Sequence, residues 1–148
     1  MSAQLRSILL VEDNPLDLEL TLHELAQYRL VNEVIIARDG QEALDYLHRR
    51  GQFVLRRVEL PAVVLLDLKL PKIDGLQVLA EMKSDPALVE VPVVVLTTTQ
   101  NGPDMKRCRA LGVQGYLPKP VNFHELIDTL AQLGLVFAIQ REPLRAES

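Results

Sequence analysis

The chain has no tryptophan, and one cysteine among 148 residues. A lone thiol, Cys108, excludes an internal disulfide and makes a reducing compartment, the cytoplasm, the simplest setting. Only three histidines occur, His23, His48 and His124. All three fall on stretches with helical patterning, which argues against a zinc site. No apolar run approaches the ~18–20 residues that cross a bilayer. The N-terminus lacks the apolar core and cleavage site of a signal peptide, so no membrane association is expected. Basic residues are not in excess: a net charge of -4 argues against nucleic acid as a direct partner, because phosphate binding needs a basic surface. Repeats and low-complexity tracts are also missing. What remains is ordinary globular composition, 48% hydrophobic and 24% charged, in a length that suits one domain with a real core.

The most informative stretch is Ala62-Val63-Val64-Leu65-Leu66-Asp67-Leu68-Lys69-Leu70-Pro71-Lys72-Ile73-Asp74-Gly75. An apolar run without polar alternation predicts a strand covered on both faces, as in a parallel sheet. Asp67 stands at its carboxyl end, where open α/β sheets hold their ligands. Taken alone, Asp67 is more simply a strand cap or a turn residue. Four similar strands are predicted, at Ser7–Val11, Glu33–Arg38, Pro92–Leu96 and Val113–Leu117. Helices are predicted between them. One starts at Asn14-Pro15, an N-cap followed by a first-turn proline, turns Leu18, Leu22 and Leu25 inward, and ends near Arg29-Leu30. The second follows Asp39-Gly40, uses Ala43, Leu44 and Leu47, and ends at Gly51. The third turns Leu76, Leu79 and Ala80 inward. The fourth runs from about Pro103 to Leu111 and the last from Asn122 to about Leu133. Segment 51–61 reads as a long loop. Five rounds of strand then helix imply a doubly wound α/β fold with a parallel sheet.

Right-handed crossovers bring all five strand ends to one edge. Glu12 and Asp13 follow the first strand, Asp67 the third, Thr97 the fourth and Lys119 the fifth. Crowded carboxylates repel by about 4 kcal/mol per pair at 4 Å and an effective dielectric of ~20. Either one of them protonates or a cation sits among them. An all-oxygen cluster suits Mg²⁺. With Lys119 and Thr97 beside it, the cluster can neutralise and position a phosphoryl group for transfer to an aspartate.

These residues resemble the receiver domain of two-component response regulators. The resemblance rests on Val11-Glu12-Asp13-Asn14, Leu66-Asp67, Leu70-Pro71, Asp74-Gly75, Leu96-Thr97, and Tyr116 with Lys119-Pro120. It covers roughly residues 6–134. It implies a flavodoxin-like sheet of strand order 2-1-3-4-5 and a phosphoacceptor at Asp67, loaded from a sensor histidine kinase. It further implies Mg²⁺ held by Asp13, by Glu12 through water, by Asp67 and by the Lys69 backbone carbonyl. Thr97 and Tyr116 become the switch residues, Lys119 the partner of the phosphoryl group, and Lys119-Pro120 a cis peptide. Many receivers carry Asn or another short residue in place of Lys69, and Ala or Ser in place of Thr98. Both positions flank the path of the hydrolytic water, so a changed phosphoryl lifetime is expected. A competing class is the haloacid-dehalogenase-like aspartyl phosphatase. That class wants a second acid two residues past its nucleophile, where this chain has Lys69.

The receiver is expected to span residues 1–134, with 135–148 as an extension and no output domain. Leu135-Val136-Phe137-Ala138-Ile139 stays apolar. Burying its large side chains would contribute about 1.5–3 kcal/mol each, and two such arms in a symmetric dimer could outweigh an association cost of ~4–15 kcal/mol. A homodimer is therefore expected; packing of the tail on its own domain is the alternative. The tail, segment 51–61 and Leu96-Thr97-Thr98 together resemble the small regulators that partner bacterial and cyanobacterial phytochrome kinases. That subgroup implies a light-sensing histidine kinase as the input. A phosphate sink or a phosphorelay intermediate fits the same residues.

Overall fold

In the computed structural model of the chain, residues 6–26, 32–56, 59–98 and 102–132 are described. They form β1 (Ile8–Val11), α1 (Pro15–Ala26), β2 (Val34–Ala37), α2 (Gly40–His48), a single 3-10 turn (Gly51–Phe53), β3 (Val63–Asp67), α3 (Gly75–Ser84), β4 (Val93–Thr97), α4 (Pro103–Ala110), β5 (Gly115–Pro118) and α5 (Phe123–Gln132). All four strand pairings are parallel and the order is β2-β1-β3-β4-β5. This is the parallel, doubly wound sheet that the alternation of strands and helices predicts, in the flavodoxin-like order that the family resemblance implies.

The inner strands β1, β3 and β4 are buried along their whole length, which is why their sequences show no polar alternation. Edge strand β5 alternates between buried and half-buried residues. Alternate residues of each strand feed two separate cores. Leu9, Val11, Val64, Leu66, Val93 and Val95 pack with α2, α3 and α4. Ile8, Leu10, Val63, Leu65, Val94 and Leu96 pack with Leu18 and Leu25 of α1 and Leu126 of α5. The face on which a strand residue points therefore decides which helices its neighbours at the strand end can meet.

Several local expectations need correction. Ala80 is exposed; Gly75, Val78, Leu79 and Met82 are the buried residues of α3, with Leu76 half-buried. Helix α2 ends earlier than Gly51, because Arg49 adopts the left-handed conformation (φ 56°) and its N–H reaches back to the carbonyls of Asp45 and Tyr46. Segment 51–61 is more than a plain loop. The Arg56 guanidinium binds the carbonyls of Tyr46, Leu47 and Glu59 and lies 4.6 Å from the centroid of the Tyr46 ring. These contacts tie the segment to the end of α2. Among the described residues, no helix is long and apolar enough to cross a membrane. The expected dimerisation arm, 135–148, lies outside the described residues.

Candidate functional site

Strand register sets the geometry of the site. Val11 pairs with Leu66, so Glu12, one residue on, stands beside Asp67. Leu96 pairs with Leu117, and Lys119, two residues on, keeps the same facing. Glu12, Asp67 and Lys119 thus share the facing of the α1–α5 side. Both acids are buried: Glu12 is 0% and Asp67 6% exposed. The Lys119 ammonium sits among them, with Nζ 2.7 Å from Glu12 Oε1, 3.0 Å from Asp67 Oδ2 and 3.1 Å from Asp17 Oδ2. The other oxygen of Asp67, Oδ1, accepts from the Lys69 backbone N–H at 3.2 Å. The backbone N–H of Lys119 donates to the Thr97 carbonyl at 3.0 Å, which fixes the β5 end against the β4 end. The Lys119–Pro120 peptide is cis.

Asp17 was not foreseen from the sequence. Asn14 caps α1 by accepting the Asp17 N–H at 3.0 Å. The cap starts the helix directly after Asp13, so its first turn folds back over the strand ends. An acid in the first turn of a helix is ordinarily read as a complement to the helix dipole. The only sequence signal for anything further is its place one turn beyond Asp13.

Asp13, Asp17, Asp67, Lys69, Thr97, Thr98 and Lys119 line a cleft of about 300 Å³. Thr97 is buried, whereas Asp13, Lys69 and Thr98 are exposed on the rim. Tyr116 is not among the lining residues. It is half-buried against the α2–α4 core, and burial pushes its hydroxyl above the ordinary tyrosine range.

Electrostatics follow from this packing. Glu12 is pushed up to about 7, first by burial and then by the hydrogen bond and charge of Asp67, against the opposing pull of Lys119. For Lys119, burial favours the neutral amine, but Glu12 and Asp67 outweigh it and hold the group above the ordinary lysine range. One oxygen each from Glu12, Asp13 and Asp67 lie within 4.8 Å of one another. Glu12 Oε1 is buried and, among the described residues, has no aligned hydrogen-bond donor despite the nearby ammonium. Three carboxylates converging within 4.8 Å, with a single ammonium against two of them, make an all-oxygen cluster that fits a hard divalent cation.

Cation binding should therefore depend on pH. The folded state raises Glu12 from 4.5 to about 7. Without a cation, its contribution to stability is complete below the unfolded value and is lost as pH rises through about 7. A cation needs the ionised form, so binding releases a proton. Affinity at pH 6 is expected to be about tenfold weaker than at pH 8. Calorimetric titration at the two pH values measures this, and equal affinities would refute it.

A family model for the response regulator receiver domain matches residues 8–131. Response regulator Rcp1 of Synechocystis sp. is 43% identical over 119 residues, which are 80% of this chain and 80% of that protein. Among solved structures, the bacteriophytochrome response regulator AtBRR superposes with a TM-score of 0.85 at 48% identity, covering 98% of this chain and 100% of that one. The Mn(2+)-bound form of Rcp1 superposes with a TM-score of 0.72 at 38% identity, covering 95% of this chain and 99% of that one.

Proposed function

The chain belongs to the response regulator receiver family, and from that premise we propose that it takes a phosphoryl group on Asp67 from a phytochrome-type sensor histidine kinase. The observation that carries this reading is the Lys119 ammonium, 3.0 Å from Asp67 Oδ2 in a cleft whose acids can hold a divalent cation. The likeness to a bacteriophytochrome response regulator supplies the choice of kinase. We assign the cation as Mg²⁺, held by Asp13, Asp67 and the Lys69 carbonyl, with Glu12 acting through water. When bound, it would neutralise oxygens of the incoming phosphoryl group. Lys119 then pairs with a phosphoryl oxygen, and Thr97, buried beside Asp67, hydrogen-bonds another. That draw is passed to Tyr116 on β5 and biases a partner or dimer surface, a population shift that needs only a few kcal/mol. The protein acts in the cytoplasm, and a homodimer formed through residues 135–148 carries the output. As a receiver it is a phosphoacceptor, with chemistry confined to its own aspartate.

Phosphotransfer profiling tests the reading. Purified sensor histidine kinases, phytochromes included, are labelled and mixed with the chain. Rapid label transfer from a phytochrome kinase, lost in Asp67→Asn, is the expected result. Preferred transfer from another kinase would refute the phytochrome assignment. Onward passage of label to a histidine phosphotransfer protein would favour a phosphorelay intermediate.

Lys69 and Thr98 are proposed to tune phosphoryl lifetime. Both are exposed on the cleft rim with Asp67, where they flank the path of water to phosphorus. Lys69→Asn and Thr98→Ala should each change the dephosphorylation half-life by about threefold or more, roughly 0.7 kcal/mol in barrier height. Half-lives equal to the parent in both variants would remove this role.

A further inference from the structure

Given phosphorylation at Asp67, we propose that Asp17 is a positioning and specificity-determining residue, which holds Lys119 toward α1 and disfavours dianionic small-molecule phosphodonors; this role rests on the receiver function proposed above. Three carboxylates share the Lys119 ammonium in this structure: Glu12, Asp67 and Asp17. Their situations differ. Glu12 and Asp67 belong to the cation and phosphoryl site itself. Asp17 comes from the first turn of α1, and its side chain is 31% exposed at the cleft mouth. When Asp67 takes up a phosphoryl group, its carboxylate becomes an acyl phosphate, and one oxygen no longer carries charge for Lys119. Asp17 is unchanged by that reaction. It remains an acceptor 3.1 Å from the ammonium, competing with the phosphoryl oxygens for the same three N–H donors.

The charge of the cleft points the same way. Glu12, Asp17 and Asp67 surround one half-buried ammonium, and Asp13 joins Glu12 and Asp67 where one divalent cation would load. That leaves one negative charge in excess, while Lys69 and Asp104 on the rim offset each other. Neutralising Asp17 would bring the loaded cleft to balance. A donor approaching through the mouth passes Asp17 before it reaches Asp67, so the carboxylate repels it in proportion to its own charge. The N–H of Asp17 is held by Asn14, and this cap fixes where along α1 the carboxylate projects.

Two small donors differ in charge and can be compared directly. With acetyl phosphate, a carboxylate oxygen of Asp67 forms the new P–O bond. The donor's P–O bond breaks, and its electron pair leaves on acetate. With phosphoramidate, the P–N bond breaks instead, and the nitrogen, already protonated in the monoanion, leaves with the bond's electron pair as ammonia. Acetyl phosphate is a dianion near neutral pH, and phosphoramidate carries about one negative charge less.

The experiment measures second-order labelling rates with both donors, at saturating Mg²⁺ and at about 0.05 M and 0.5 M salt. In Asp17→Asn the acetyl phosphate rate should rise by about three- to tenfold, and the phosphoramidate rate, with half the charge, by about the square root of that, roughly two- to threefold. The gap should narrow at the higher salt concentration. Asp17→Glu keeps the charge and should keep the parental ratio of the two rates. Glu19→Gln removes the same charge from an exposed position on α1 and should leave both rates unchanged. A general loosening of the fold would move both donors together and leave their ratio alone. An unchanged ratio in Asp17→Asn, or an equal rise for both donors, overturns the proposal. So does the same ratio change in Glu19→Gln, which would show a long-range charge effect and no special role for Asp17. A parent protein that takes no label on Asp67 from either donor overturns the proposed phosphoacceptor role of Asp67, and this role with it.

Discussion

Asp67→Asn should lose all stoichiometric labelling and, at the same time, become more stable than the parent when no divalent cation is present. The first effect follows from removal of the nucleophilic carboxylate. The second follows from crowding. Asp67 raises Glu12 through both its hydrogen bond and its charge, so the buried pair is under mutual repulsion. Removing one carboxylate relieves it. The substitution also removes one partner of Lys119, which works in the opposite direction. Relief wins, because the ammonium keeps two carboxylates, Glu12 at 2.7 Å and Asp17 at 3.1 Å. A gain of about 1–2 kcal/mol at pH 8 is expected in cation-free buffer. Adding Mg²⁺ at a hundred times its dissociation constant should stabilise the parent by about 2.7 kcal/mol and the variant by much less. Denaturant titrations with and without the cation read both quantities. A variant less stable than the parent in cation-free buffer would show that the Lys119–Asp67 attraction dominates.

Much of this site could be read from the sequence, for a physical reason. A strand buried on both faces leaves an uninterrupted apolar run, and the first polar residue after it marks the sheet edge. Glu12, Asp67 and Thr97 each stand at such a boundary. The sheet order came from the family resemblance, since alternation alone shows that the sheet is parallel but not how its strands are arranged. Asp17 was hidden because its relevance depends on where the first turn of α1 points. That direction is set by the Asn14 cap and by packing on the α1–α5 face, and neither leaves a mark in hydrophobic periodicity. The misplacement of Ala80 has a related cause. Small apolar residues satisfy a helical stripe on paper, but the α3 face that meets the sheet is centred on Val78 and Met82. Arg56 was read as part of a loop because its partners are main-chain carbonyls, which are the same for every residue type.

The Asp-Gly pairs do more than turn the chain, and Gly75→Ala exposes the difference. From sequence alone an Asp-Gly pair signals a turn, and Asp39-Gly40 and Asp74-Gly75 both carry that signal. In the structure each aspartate is an N-cap, accepting the N–H of Glu42 at 2.7 Å and of Gln77 at 2.9 Å, and each glycine begins its helix. Gly75 is required by close approach. A Cβ there would lie 2.3 Å from the Asp67 carbonyl oxygen and 2.6 Å from Leu68 Cα. Both contacts are backbone at the end of β3, where Asp67 is paired with Leu96, so neither side can yield cheaply. Gly75→Ala should cost about 3 kcal/mol. Because the displaced backbone carries Asp67 itself, labelling by acetyl phosphate should slow on the order of tenfold or more, even where the variant is folded. Gly40→Ala supplies the contrast. Its Cβ would lie 1.7 Å from the Ile73 carbonyl oxygen, so a comparable loss of stability is expected. Ile73 belongs to the connection after β3 and its side chain is half-buried, so the clash can relax by moving that connection and not the strand end. Labelling of folded Gly40→Ala should stay within about threefold of the parent. Thermal melts establish the temperature at which both variants are folded, and labelling rates are compared there. Parental labelling in Gly75→Ala would show that the β3 end absorbs the methyl group without moving Asp67. Equal slowing in both variants would show that the connection after β3, and not the strand end alone, positions the phosphoacceptor.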